Sequence, residues 1–183
     1  DSAARLIRNK IDDFGRKVGG EAEETRRLIP TEKFVTTEPL DAAGKLKPNI
    51  RYRSGEFNYF YETDELGRIT KCEAPTLQRT ERTERLVHDS KTPGKLKGDH
   101  AGHIIGDRFG GSPELDNLVS QLEKVNLSDY KKLENDWAAA LSRRERVEIN
   151  IEIKYSGTTS RPSEFIVKYK IDGDLYPLIS IPN

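Results

Sequence analysis

Two of the chain's three histidines, His100 and His103, fall within one stretch, Gly98-Asp99-His100-Ala101-Gly102-His103-Ile104-Ile105-Gly106-Asp107-Arg108-Phe109-Gly110-Gly111. Asp99 and Asp107 flank them, and five glycines punctuate the run. Glycine at that density marks backbone that must turn tightly or approach a ligand closely. Asn117 and Asn126 follow, and then Glu134. These residue types suit the hydrolysis of a phosphodiester. A base must take a proton from water, a cation must offset charge on the reacting phosphorus and leaving oxygen, and donors must hold the phosphate. Histidine is the natural base near neutral pH. Asn and Glu offer oxygens to a hard cation such as Mg²⁺, which keeps most of its waters. If Asn126 and Glu134 share a helix, their spacing of about 2.2 turns points both to nearly the same side. Arg108 and the basic residues of 79–97, among them Arg82, Arg85 and Lys97, are candidates to hold phosphate.

Each of these residues also has a plainer reading. Asn126 would lie just before a helix, where Asn is a common cap. Asn117, after Asp116, could cap a turn, and Glu134 alone would be a solvated helix residue. Asp107 and Arg108 could pair with each other. His88, in no such context, reads as structural.

The elements that must position this stretch follow from patterning. Residues 1–29 read as a charged helix with Ile7, Ile11 and Phe14 on one face, broken at Gly19-Gly20. Residues 30–48 carry Pro30, Pro39 and Pro48 and read as a linker. Asn58–Glu62 and Arg68–Ala74, joined by a turn, form a β-hairpin whose aromatic cluster Tyr59–Tyr61 belongs to a sheet core. Residues 78–98, with six Lys or Arg against three Asp or Glu, read as a long basic loop, and 112–121 as turn-rich. Tyr130, Leu133, Trp137 and Leu141 recur at helical spacing over 128–141, with Ser128 as the expected N-cap and Trp137 in the core. Val147–Tyr155 alternates apolar and polar, which predicts a strand with one buried face. Ser163–Ile171 and a short segment near 178–181 complete the sheet.

Lys plus Arg and Asp plus Glu are each 31, so the net charge is zero. A protein that merely coats nucleic acid is usually basic, so neutrality argues against that class. An enzyme needs only a local basic groove. The single cysteine, Cys72, excludes an internal disulfide and sits in an expected strand as a packed thiol. No run approaches the roughly 18 apolar residues of a membrane span. The chain contains no methionine and reads as a piece of something larger.

Ala101-Gly102-His103, then Asn117-Leu-Val-Ser-Gln121, Asn126 and Glu134 together resemble the DNA/RNA non-specific endonuclease family, whose fold is ββα-metal. The run from Gly98 through Gln121 is similar to the C-terminal toxin domains of Gram-positive LXG polymorphic toxins. The resemblance covers about residues 45–183 and is most specific over 98–134. It implies that His103 activates water and Asn126 binds a hydrated Mg²⁺. It also implies that Glu134 orients metal-bound water and Asn117 steadies the site. It implies export by type VII secretion within a larger toxin, action in the cytoplasm of a target cell, and a cognate immunity protein. The sequence departs from the family's Asp-Arg-Gly-His, placing His100 and Ala101 where Asp and Arg would stand. In the register of the related HNH nucleases, His100 would be the base and Asp99 a metal ligand.

The expected architecture is therefore α+β: an antiparallel sheet with a ββα-metal nuclease core over 46–183, and an N-terminal helical appendage over 1–45. The expected activity is Mg²⁺-dependent cleavage of DNA or RNA that leaves 5′-phosphate and 3′-hydroxyl ends and fades at acid pH as His103 protonates. Two rivals stand beside it. One is a metal-independent ribonuclease using two of His88, His100 and His103 as an acid–base pair. The other is an inactive domain that only binds nucleic acid or protein.

Overall fold

The computed structural model describes residues 33–183, so the helix expected over 1–29 lies outside the described residues. The described chain is of the α+β class, mostly sheet, with one long helix. The strands are β1 (Phe34–Thr36), β2 (Ile50–Ser54), β3 (Tyr59–Thr63), β4 (Ile69–Ala74), β5 (Asp99–His103), β6 (Leu118–Leu122), β7 (Val147–Tyr155), β8 (Pro162–Ile171), β9 (Asp174–Leu175) and β10 (Ile179–Pro182). The helix α1 spans Tyr130–Ser142 and follows a π-helical turn over Val125–Asp129.

The large sheet runs β1-β2-β3-β4-β7-β8-β10, with β9 paired to β8. Every pairing is antiparallel except β1 with β2. One compact unit begins at Lys33, so β1 and the Leu40–Leu46 bridge belong to the folded body that the sequence reading starts at 46.

Alternation decides which face of this sheet is buried. Val147, Ile149, Ile151 and Ile153 on β7 point inward, as do Phe165, Val167, Tyr169 and Ile171 on β8. Cross-strand neighbours carry the same pattern, with Ile151 opposite both Cys72 and Val167. Helix α1 covers this face. Trp137 meets Tyr169 edge-on at 5.8 Å, and Tyr130 meets Phe165 at 5.8 Å. The opposite face carries a charge ladder in which Arg51 bridges Glu62 (3.1 Å) and Glu73 (2.8 Å), and Lys71 closes on Glu73 (2.6 Å). Opposite charges on neighbouring strands stabilise the pairing and keep that face wet.

The glycine-rich stretch and the segment 118–122 pair as a separate two-stranded antiparallel sheet, β5 with β6. The chain leaves β6 at Leu122 and enters helical turns at once. β5, β6 and α1 thus form a ββα unit seated on the large sheet. Three expectations change here. Residues 112–121 are not all turn, because their last four residues are strand. β2 precedes the predicted hairpin and extends it. Ser128 is not an N-cap: helical turns already begin at Glu123, and Ser128 lies inside the π-turn.

Candidate active site

The ββα unit brings the end of β5 over the start of the helix. His103 closes β5, and there the chain turns through Ile104–Gly106 into a single 3-10 turn, Asp107–Phe109. Tyr130 fixes this corner from the helix by donating its hydroxyl to the Ile104 carbonyl at 2.8 Å. Gly106 allows the close approach, since a Cβ there would collide with the Glu134 carboxylate.

A cleft of about 600 Å³ opens at this corner. Its walls include His103, Gly106, Asp107, Arg108, Asn126, Tyr130, Lys131, Glu134 and Asn135, together with Arg79, Arg82 and Arg85 from the basic loop. Of the residues singled out from the sequence, His103, Asn126, Glu134, Arg108, Arg82 and Arg85 meet here. Asn126 sits in the π-turn, a distortion frequent at functional sites. The lining cations Arg79, Arg82, Arg85, Arg108 and Lys131 outnumber the acids Glu84, Asp107 and Glu134. The neutral chain therefore concentrates positive charge where a phosphate would enter.

The electrostatics of two groups stand out. His103 is buried, and its Nε2 has no hydrogen-bond partner among the described residues. Burial, reinforced by the neighbouring His88 and by Arg85, lowers its pKa to about 4, with Asp107 opposing. The imidazole is therefore neutral at physiological pH and holds an unused ring nitrogen. Burial also raises the Glu134 carboxyl to about 7, against the pull of Arg108, Lys131 and Arg85. A half-buried carboxylate with that much unrelieved desolvation is what a bound cation would offset.

Among the described residues no group of three or more His, Cys, Asp or Glu could hold a metal ion. The donors at hand are the Asn126 amide oxygen and the Glu134 carboxylate. Two oxygen donors with open solvent beside them fit a hard cation that keeps most of its waters, and they do not fit a soft or fully caged one.

Four sequence candidates sit elsewhere. Asp99 is not in the cleft: its side chain is 1% exposed and forms a two-point ion pair with Arg161 (2.8 and 2.9 Å) while accepting from the Leu96 amide. The Arg161 guanidinium holds its carboxyl below the usual range. This buried pairing, not a cation, satisfies the carboxylate. His100 lies on the other face of β5 from His103. Its Nδ1 is 3.2 Å from the Asn126 amide nitrogen, so it touches the candidate ligand without lining the cleft. Lys97 is exposed outside the lining. Asn117 is fully buried and works as a clamp. Its Oδ1 accepts from Tyr61 (2.6 Å) and from the Ile105 amide (3.0 Å), and its Nδ2 donates to the Ile105 and Ser112 carbonyls. That clamp steadies the loop after His103 without touching the cleft.

Asp107 does not pair with Arg108. It binds Arg82 at 3.0 Å, while Arg108 donates to Asn135 at 2.7 Å. The sequence names His88 only as a structural residue or a rival acid–base partner; its ring lies 5.0 Å from that of His103 at 66°, a contact the sequence does not show. Arg79 lines the cleft as one of the basic residues of 79–97, whereas Lys131 was missed. Lys131 could have been found from the helix, since it lies one turn before Asn135 on the face that carries Glu134. His88 offered no local signal, because the contact crosses a loop without regular structure.

A ββα unit that presents a neutral histidine, an asparagine and a carboxylate to a basic cleft defines a class of nuclease-like site. The DNA/RNA non-specific endonuclease family model matches residues 48–173, and the chain belongs to that family. It is 37% identical over 139 residues to the type VII secretion system protein EssD of Staphylococcus aureus strain USA300, and equally to EssD of strains NCTC 8325 and Newman. The alignment takes in 71% of this chain and 22% of the relative, so the chain spans about a fifth of the length of the curated relatives it matches. An extracellular nuclease of known structure aligns at a TM-score of 0.44 and 20% identity, over 70% of this chain and 86% of that one.

Proposed function

We propose that this domain is a divalent-metal-dependent endonuclease that hydrolyses DNA or RNA with little sequence preference. The observation that carries the reading is His103, neutral and with a free ring nitrogen, in one basic cleft with Asn126 and Glu134. His103 takes the proton of the attacking water. Its low basicity limits how far the proton is drawn, but it guarantees that the acceptor form is present. Arg82, Arg85 and Arg108 hold the phosphate and orient it in line with the water. Asn126 and Glu134 would hold the cation, with Mg²⁺ the natural choice for such oxygen donors. When bound, that cation neutralises charge on the phosphate and on the departing 3′-oxygen. Cleavage leaves 5′-phosphate and 3′-hydroxyl ends.

The likeness to a type VII secretion protein supports a role as one domain of a larger exported toxin. That toxin would act in the cytoplasm of a target cell and be held off in the producer by a cognate immunity protein.

One observation favours a second reading. The His88–His103 pair, 5.0 Å apart, has the composition of the acid–base couple of a metal-independent ribonuclease. Incubation of wild type and His103→Ala with plasmid DNA and with total RNA, each in Mg²⁺ and in EDTA, separates the two. The metal-dependent reading expects cutting by wild type in Mg²⁺ alone. Cutting of RNA in EDTA, with DNA spared, transfers the assignment to the ribonuclease, and no cutting under any condition leaves a domain that only binds.

A further inference from the structure

We propose that His88 is a positioning residue for His103, packed edge-on so that the plane of the base is fixed toward the cleft. The inference rests on His103 being the base. Catalytic imidazoles are ordinarily oriented by a hydrogen bond from one ring nitrogen to a carboxylate or a carbonyl. Among the described residues no hydrogen bond reaches the His103 ring, and its Nε2 is buried and free. Rotation of the ring must therefore be limited by packing. The ring packed against it is His88, with centroids 5.0 Å apart and planes at 66°, the edge-to-face arrangement that aromatic pairs prefer.

The segment carrying His88 is irregular, yet it is fastened to the elements that carry His103 on both sides of the contact. Before it, the Leu86 amide donates to the Asp107 carboxylate (3.4 Å), to which Arg82 also binds at 3.0 Å. After it, the Asp89 amide donates to the Pro113 carbonyl (3.0 Å). Beyond that, Thr92 and Ser120 share a hydrogen bond of 2.8 Å, and the Ser120 hydroxyl also reaches the Pro93 carbonyl at 2.7 Å. Ser120 lies on β6, paired with Ala101 of β5, and shares its face with His103. The loop is thus tied to both ends of the β5–β6 corner, and His88 is held in place. His88 lies outside the lining of the cleft, so it acts through His103 and not on the phosphate. The charged and titratable groups around His103 are Arg85 and His88 from the loop and Asp107 from the 3-10 turn.

The test compares His88→Ala, His88→Phe and His88→Gln with wild type and His103→Ala on a defined oligonucleotide duplex in Mg²⁺. Readouts are kcat, KM and thermal midpoint for each variant. A reactive group misplaced by about 1 Å can cost up to about 10²-fold in rate. We expect Ala and Gln to lower kcat by about tenfold or more at unchanged KM, and Phe, which keeps the ring and lacks the nitrogens, to recover most of it. Should Ala unfold the domain, the comparison of Phe with Gln still decides. Phe as poor as Gln overturns the proposal in favour of a proton-carrying His88. A rise in KM alone overturns it in favour of phosphate contact, and wild-type kinetics in all three variants deny His88 any role. Wild-type activity in His103→Ala instead removes the base assignment, a failure distinct from the others.

Discussion

His103 can accept a proton only while it is uncharged, and its surroundings decide that. Burial, His88 and Arg85 all disfavour the imidazolium, which places its pKa at about 4. The simplest expectation from the sequence, activity fading as an ordinary imidazole protonates, therefore shifts downward: neutral His103 persists through pH 5. An NMR titration of the metal-free domain should give His103 a midpoint near 4, and a midpoint at the ordinary histidine value would refute the environment described. The same shift has a thermodynamic consequence. The folded pKa lies below the unfolded value of about 6.5, so between pH 6.5 and 4 the unfolded chain binds more protons. Through this group stability falls as pH falls across that window, and urea melts should show a shallower acid loss in His103→Gln than in wild type. Removing the base itself should slow cleavage by about 10²–10⁴-fold, the usual worth of a positioned proton acceptor.

At the scale of elements, what can be read from sequence depends on how local the cause is. The alternation of Val147–Tyr155 and the helical spacing of Tyr130, Leu133 and Trp137 are consequences of one strand and one helix each burying a face, and both elements lie where the pattern puts them. β5 and β6 were harder to see. Glycine at 98 and 102 and the turn residues before Leu118 hide a strand pair that exists because the two segments hydrogen-bond each other. The start of the helix is hidden for a related reason: β6 runs into helical turns without a capping residue, so Ser128 falls inside the π-turn. Asp99 carries the clearest lesson. It has a ligand's chemistry and a ligand's sequence neighbours, yet its partner Arg161 stands 62 residues away, where no motif could announce it. Asp99→Ala leaves the largely buried Arg161 guanidinium without its counter-charge, and we expect a loss of about 3–5 kcal/mol in denaturant melts. Because Arg161 holds the Asp99 carboxyl low, that contribution is present above the unfolded pKa and is lost as pH falls through the folded one. A variant as stable as wild type but weaker in cation affinity would return Asp99 to the site.

For the whole molecule, charge is distributed where its net value cannot show it. Arg and Lys on the outer face of the large sheet are matched by Glu62 and Glu73, whereas Arg79, Arg82, Arg85, Arg108 and Lys131 crowd one cleft. Binding of nucleic acid should accordingly be salt-dependent despite a net charge of zero. Arg85→Ala should weaken binding to all sequences alike and reduce the slope of log K against log salt by about 1. A slope unchanged by the substitution would place the phosphate elsewhere. Chemical rescue tests His103 as the base most directly. His103→Gly and His100→Gly would each be assayed for cleavage in Mg²⁺ with increasing free imidazole. His103→Gly should be nearly inert and should regain activity in proportion to the neutral imidazole supplied. Wild-type cleavage by His103→Gly, or rescue confined to His100→Gly, would contradict that role.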